Sequence, residues 1–229
     1  MYYAKRKGGN QVRRFNVEKE KFDDLAPHKM LHGDLYPNAI LTVIAAADAR
    51  DTYTHDHSES VARYASAIAR SMGLSEDQAR LVSIAGLLHD GGKIGIPDAI
   101  LHKKEQLVEE EWKMIQTHPT MGEAILKHID KLDGVLPIIR HHHENYEGGG
   151  YPDGIRREEI PLEARILRVA DAYDAMVSNR PYRRPLSRQE AIAELRAGAG
   201  QQFDPQVVEA FILLLEATDG PERPCNAKS

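Results

Sequence analysis

The chain has one cysteine, Cys225, in 229 residues. No disulfide can form within it, and a thiolate zinc site is excluded. Cysteine this scarce is compatible with a cytoplasmic location, which is the expectation. Basic residues are outnumbered, with 30 Lys and Arg against 35 Asp and Glu and a formal charge of −5. That balance argues against broad electrostatic attraction to nucleic acid, so no duplex partner is expected. A small phosphate-bearing ligand remains compatible where basic residues cluster locally. No apolar run approaches the roughly 20 residues of a membrane helix, so no membrane segment is expected. The N-terminus lacks the uninterrupted apolar stretch of a secretory signal. Strand-like alternation is missing as well.

What is present is a helical period. Val61, Tyr64, Ala65, Ile68, Ala69 and Met72 recur at helical spacing and form one apolar stripe. Gly73 follows as a helix-terminating residue, because glycine accepts the left-handed backbone there. Ser75 and Gln78 read as a capping box that opens the next helix. That helix carries Leu81, Val82, Ile84, Ala85, Leu87 and Leu88 and is apolar on most faces, so it is central and buried. A charged helix through Trp112 and Ile115 is expected to stop near His118-Pro119, with a short helix over 121–129. Residues 145 to 160 hold four glycines and a proline among polar residues and read as a loop. A helix after Pro161 carries Ile166, Leu167, Val169, Ala170, Tyr173 and Val177 inward. Ser187 with Glu190 is a second capping box, and Asp204-Pro205 opens a last helix. The expectation is an all-α domain over residues 39–217, with a flexible tail at 218–229.

Chemistry-bearing residues gather at the ends of these segments. His89-Asp90 closes the buried helix, and Gly91-Gly92 then breaks it. His142 and His143 close another apolar segment. Asp171 lies inside a third apolar helix beside Val169 and Ala170. A lone buried carboxylate is costly unless it is paired or bound to a metal. One histidine in a helix is usually packed or solvated, so the case rests on the joint pattern. Imidazole and carboxylate donors without sulfur suit iron, manganese, zinc, cobalt or nickel. Two such ions about 3.5–4 Å apart would activate a bridging hydroxide and stabilise a phosphate in in-line displacement. Lys93 lies one turn past His89 and suits charge neutralisation at a phosphate. As a surface lysine it would need no such role.

Two further features fit a ligand site. Gly148-Gly149-Gly150-Tyr151-Pro152-Asp153-Gly154 lets backbone approach a ligand closely, and Tyr151 offers a ring for stacking. An ordinary connector is the plainer account of that loop. Arg180, Arg183 and Arg184 form a basic knot, and guanidinium groups bind phosphate in a bidentate manner. Capping or salt bridging is the plainer account there.

These residues resemble the HD-GYP family, a subset of the HD superfamily of metal-dependent phosphohydrolases. The resemblance is carried by His89-Asp90-Gly91-Gly92-Lys93-Ile94-Gly95-Ile96-Pro97, by His142-His143-Glu144, and by Gly150-Tyr151-Pro152-Asp153-Gly154. Asp171-Ala172-Tyr173-Asp174-Ala175-Met176 and Arg180-Pro181-Tyr182-Arg183 complete it. It runs from about residue 45 to 211.

The resemblance implies an HD-domain helical bundle with a metal centre in its core. It implies a cyclic di-GMP phosphodiesterase yielding pGpG, with GMP after a second cleavage. His57, His89, Asp90 and Asp171 would hold one ion, and Asp90 would bridge to a second held by His118, His142 and His143. The ions would be divalent transition metals, iron or manganese. Asp90 and Lys93 would act in catalysis, and Lys93, Tyr151, Arg180 and Arg183 would contact the dinucleotide. His141 would support the pair that follows it. Trinuclear members carry a glutamate four residues before the first ligand histidine. Tyr53 occupies that position here, which implies two ions. Gly91 stands where the family commonly has a branched apolar residue.

The N-terminus, Met1 to Val12, resembles the closing helix and strand of a GGDEF domain. Residues 1–16 would be its remnant, residues 17–38 a linker, and a connecting helix could pair two copies as a homodimer. A GGDEF-type domain upstream is then an expected partner. Two alternatives come from the same residues. One is a non-catalytic cyclic dinucleotide receptor or interaction module. The other is an HD phosphohydrolase acting on another cyclic dinucleotide.

Overall fold

A computed structural model of the chain describes residue 42, residues 54–179 and residues 184–218. The expectations for residues 1–38, Tyr53, Arg180, Arg183, Cys225 and the tail beyond 218 lie outside the described residues.

Among the described residues the fold is helical, with no strand and one isolated bridge between Ala199 and Phe203. The order is α1 (Thr54–Ser71), α2 (Glu76–Leu88), a 3-10 turn (Gly91–Gly95), α3 (Asp98–Leu101), α4 (Glu109–Ile115), α5 (His118–Leu126) and α6 (Leu136–His141). A second 3-10 turn (Arg157–Glu159), α7 (Leu162–Val177), α8 (Arg188–Gly198) and α9 (Pro205–Thr218) follow.

α1 and α2 form the tightest pair, and α7 lies against both. Gly86 sets the approach of α2 to α1, since a Cβ there would sit 2.7 Å from Cα of Ala62. The apolar stripe of α1 is buried as its spacing predicts, with Val61, Ala65, Ile68 and Ala69 fully enclosed. Tyr64 of α1, Tyr173 of α7 and Phe211 of α9 meet edge to face, with ring centroids 4.9–5.7 Å apart. Such rings add packing energy beyond their buried area.

Local signals place the boundaries. Ser75 caps α2 and Ser187 caps α8, each in a complete capping box. Gly73 takes a φ of +80° after α1, where a side chain would strain the backbone. Both bounds of α5 differ from the expected 121–129. His118 opens α5 instead of following the end of α4, and Pro119 occupies the first turn. Proline there loses no intrahelical hydrogen bond, because that N–H has no partner in any helix.

Candidate metal centre

Three helix ends converge on one point. His89 is the C-cap of α2, His142 is the C-cap of α6, and His118 is the first residue of α5. His57 and Asp171 enter from the interiors of α1 and α7. His57, His89, His118 and His142 are all buried.

The 3-10 turn explains how α5 reaches the centre. Gly92 lies flush against the start of that helix, and a Cβ there would collide with the His118 carbonyl oxygen and the Gly122 nitrogen. Gly91 is buried in the same turn, and His89 and Asp90 are both in place beside it.

The ligand-type atoms fall into two groups, each within 4.8 Å internally: His57, His89 and Asp171; and His118, His142 and His143. Asp90 lies between them. Its Oδ2 is 3.5 Å from Nε2 of His89, and its Oδ1 is 3.6 Å from Nε2 of His118. One carboxylate thus turns one oxygen to each group.

Main-chain carbonyls fix the rings. Nδ1 of His89, His118 and His142 donates to the carbonyls of Gly86, Ile115 and Ile139 at 2.8, 2.7 and 2.6 Å. A carbonyl only accepts, so each Nδ1 carries the proton and the neutral ring keeps a lone pair on Nε2. Nε2 of His118 and Nε2 of His142 face each other at 3.4 Å. Burial holds the pKa of His118 down at about 4 and that of His142 well below the usual histidine range. Two buried lone pairs then point at each other without a proton between them. A cation resolves that arrangement, and the nitrogen and oxygen donors suit a divalent transition metal.

His57 is arranged differently. Its Nδ1 is 2.6 Å from Oδ2 of Asp174, and its Nε2 is 3.4 Å from Oδ1 of Asp171. Burial works to lower its pKa, but the two carboxylates outweigh it and raise it to about 10. Burial also opposes the charge on Asp90. Lys93 first, then His89 and His118, overcomes it and holds the carboxyl well below the usual range. Nζ of Lys93 is 2.6 Å from Oδ2 of Asp90.

The tyrosine loop closes over the second group. Gly150 passes so near Asn145, Glu144 and His143 that any side chain would strike their backbone. Tyr151 donates its N–H to the His143 carbonyl at 3.3 Å. Its ring stacks on His143 at 4.8 Å and 29°. Burial pushes the Tyr151 hydroxyl pKa up, so the phenol stays neutral.

Of the residues singled out from sequence, His57, His89, Asp90, Lys93, His118, His142, His143, Tyr151 and Asp171 are brought together. Arg184 is exposed. His141 does not join the two groups. Its Nδ1 lies 3.5 Å from Asp153 Oδ2, in a separate cluster with Glu144 and Asp153.

Asp174 and Glu144 complete the site. Asp174 stands three residues after Asp171 on the same helical face, and that spacing was its signal. Glu144 is 2 % exposed. Its Oε1 accepts from the Asp153 and Gly154 amides at 2.7 and 2.9 Å. It ties the loop to the helix end that carries His142 and His143, and nothing in its immediate sequence announces that bond.

Residues 42–207 match the family model described as HD domain. The chain belongs to the HD-domain family. Within that family it is 43 % identical over 173 residues to a cyclic di-GMP phosphodiesterase of Thermotoga maritima, covering 74 % of this chain and 47 % of that protein. It is 38 % identical over 176 residues to a 3'3'-cGAMP-specific phosphodiesterase of Vibrio cholerae, covering 76 % of this chain and 33 % of that protein. The HD-domain chain therefore spans less than half the length of these relatives. Among solved structures, Bd1817, an HDG"Y"P protein of Bdellovibrio bacteriovorus, superposes with a TM-score of 0.58 at 21 % identity, over 78 % of this chain and 60 % of that one. That likeness supports the fold.

Proposed function

We propose that this HD domain is of the HD-GYP type, occupies residues 39–217, and hydrolyses cyclic di-GMP to pGpG, with GMP after a second cleavage. The observation that carries the reading is Asp90, with one oxygen turned to each of two histidine groups. His57, His89, Asp90 and Asp171 would hold one divalent ion, and His118, His142, His143 and Asp90 a second, iron or manganese. When bound, such ions supply Lewis acidity to a phosphodiester and lower the pKa of water.

The chain's own residues do the rest. The main-chain carbonyls of Gly86, Ile115 and Ile139 orient the rings of His89, His118 and His142 before any ligand arrives. Asp174 orients His57. Lys93 neutralises charge beside Asp90, where a phosphate would add more. Tyr151, held against His143, walls the site and offers a neutral phenol to the dinucleotide. Arg180 and Arg183 are proposed to clamp the ligand. The reading extends to the segment before residue 42, as the end of a GGDEF-type domain, a linker and a helix that pairs two copies.

The test is to load the chain with manganese or iron under reducing conditions and follow cyclic di-GMP by chromatography. Turnover to pGpG that His89→Ala abolishes is expected. No turnover with both ions bound would overturn the reading in favour of a binding module. A second reading, that another cyclic dinucleotide is the substrate, is favoured by the Vibrio cholerae relative named for 3'3'-cGAMP. Competition between the two dinucleotides separates them, and cyclic di-GMP is expected to win.

A further inference from the structure

Arg168 lies one turn before Asp171 on α7. Its Nη1 donates to Nδ1 of His143 at 3.0 Å, and its Nη2 to Oδ1 of Asn145 at 3.3 Å. Its Nε is buried and has no partner among the described residues. A guanidinium offers five N–H donors and cannot shed its charge. Both acceptors Arg168 meets are neutral, and it has no ion pair among the described residues.

Other arginines of the fold are satisfied differently. Arg165, three residues earlier on α7, is paired with Asp204 at 2.5 Å and bonds the Ile160 carbonyl. Arg140 is paired with Glu123 and Asp153. A largely enclosed guanidinium that feels Asp171 only at longer range and has no direct ion pair is costly, and that cost is offset when an anion arrives. Lys93 is already engaged by Asp90 at 2.6 Å. Lys93 thus has a direct carboxylate partner, whereas Arg168 has none among the described residues and keeps N–H donors to spare.

Its position selects the anion. It bonds the Nδ1 edge of the His143 ring on whose face Tyr151 stacks, and it stands one turn from Asp171. Besides Asn145, the groups that act on it include His143 and Asp171 of the metal centre and Tyr151. A phosphate oxygen seated at the centre would meet the free N–H groups, and guanidinium–phosphate bonds are charge-assisted and directional.

We propose that Arg168 is a further substrate-contacting residue, binding a phosphate oxygen of the ligand through the N–H groups its protein partners leave free. The inference rests on the functional reading only for where the ligand sits. The competing account is a brace that does no more than hold the His143 ring.

The test titrates inorganic phosphate by calorimetry into the manganese-loaded chain and into R168A, R168Q and R168K, with metal content measured on each. R168Q keeps an uncharged polar side chain, two bonds shorter than arginine, should R168A fail to fold. Phosphate affinity is expected to fall at least tenfold in R168A and R168Q and less in R168K, with metal content unchanged. Phosphate affinity equal to wild type in R168Q, or a loss that tracks lost metal, would overturn the proposal. So would a wild-type chain that binds no phosphate. A chain that takes phosphate through Arg168 but cleaves no cyclic dinucleotide contradicts the functional reading alone. One that cleaves cyclic di-GMP with an unchanged KM in R168Q contradicts the Arg168 assignment alone.

Discussion

His57 carries a carboxylate at each ring nitrogen, and its chemistry differs from that of its neighbours for that reason. With a pKa near 10, the metal-free ring holds both protons at neutral pH. A cation on Nε2 must displace one of them. His118, His142 and His143 are driven the other way by burial and are neutral at pH 7. The protonated form of His57 competes with metal below about pH 10 and ceases to compete above it. Metal affinity of the first group should therefore rise with pH, by about tenfold per unit between pH 6.5 and 8.5 for one displaced proton. Manganese titrations against a chelator at several pH values check this, and a flat response would contradict it. Asp174 gives a second prediction. A carboxylate on the far nitrogen of a ligating histidine fixes the ring and raises its basicity. Asp174→Asn should lower metal affinity by about 10–100-fold while far-UV circular dichroism stays as in wild type.

At the scale of elements, the centre depends on helices that stop in the right place. α2 stops at Leu88, and Asp90 then turns at φ −90° and ψ 0°. The glycine pair after it lets the chain pass close to α5. Gly92 is the tightest of these contacts, and the atoms it would meet are backbone, which cannot swing aside. Gly92→Ala should destabilise the fold by about 3 kcal/mol, at the upper end of ordinary overpacking. It should also weaken metal binding at His118 ahead of His57. Chemical denaturation measures the first effect, and metal content in His57→Ala against His57→Ala/Gly92→Ala chains measures the second. Much of this was legible in the sequence. The period of α1, the capping boxes at Ser75 and Ser187 and the glycine after α1 each act through residues close in the chain. The start of α5 at His118 was not, because a proline two residues before an apolar run reads equally as a stop or a first turn. Contact with Gly92, distant in sequence, accompanies the choice made here.

For the whole molecule, the same division between near and far holds. The gathering of His89, Asp90, His142, His143 and Asp171 was legible because histidine and aspartate in apolar segments are costly without partners, whereas His57 and His118 entered through the resemblance. The bond from Glu144 to the tyrosine loop and the place of Arg168 were not, since each depends on how α7, the loop and α6 come together. Asp90, with one oxygen turned to each, makes one centre of two groups. The direct measurement is metal per chain, taken anaerobically by elemental analysis on wild type and on Asp90→Ala. The prediction is two ions in wild type and no more than one in Asp90→Ala, because the shared oxygen donors are gone. Two ions retained without Asp90, or fewer than two in the wild-type chain at saturating metal, would contradict it.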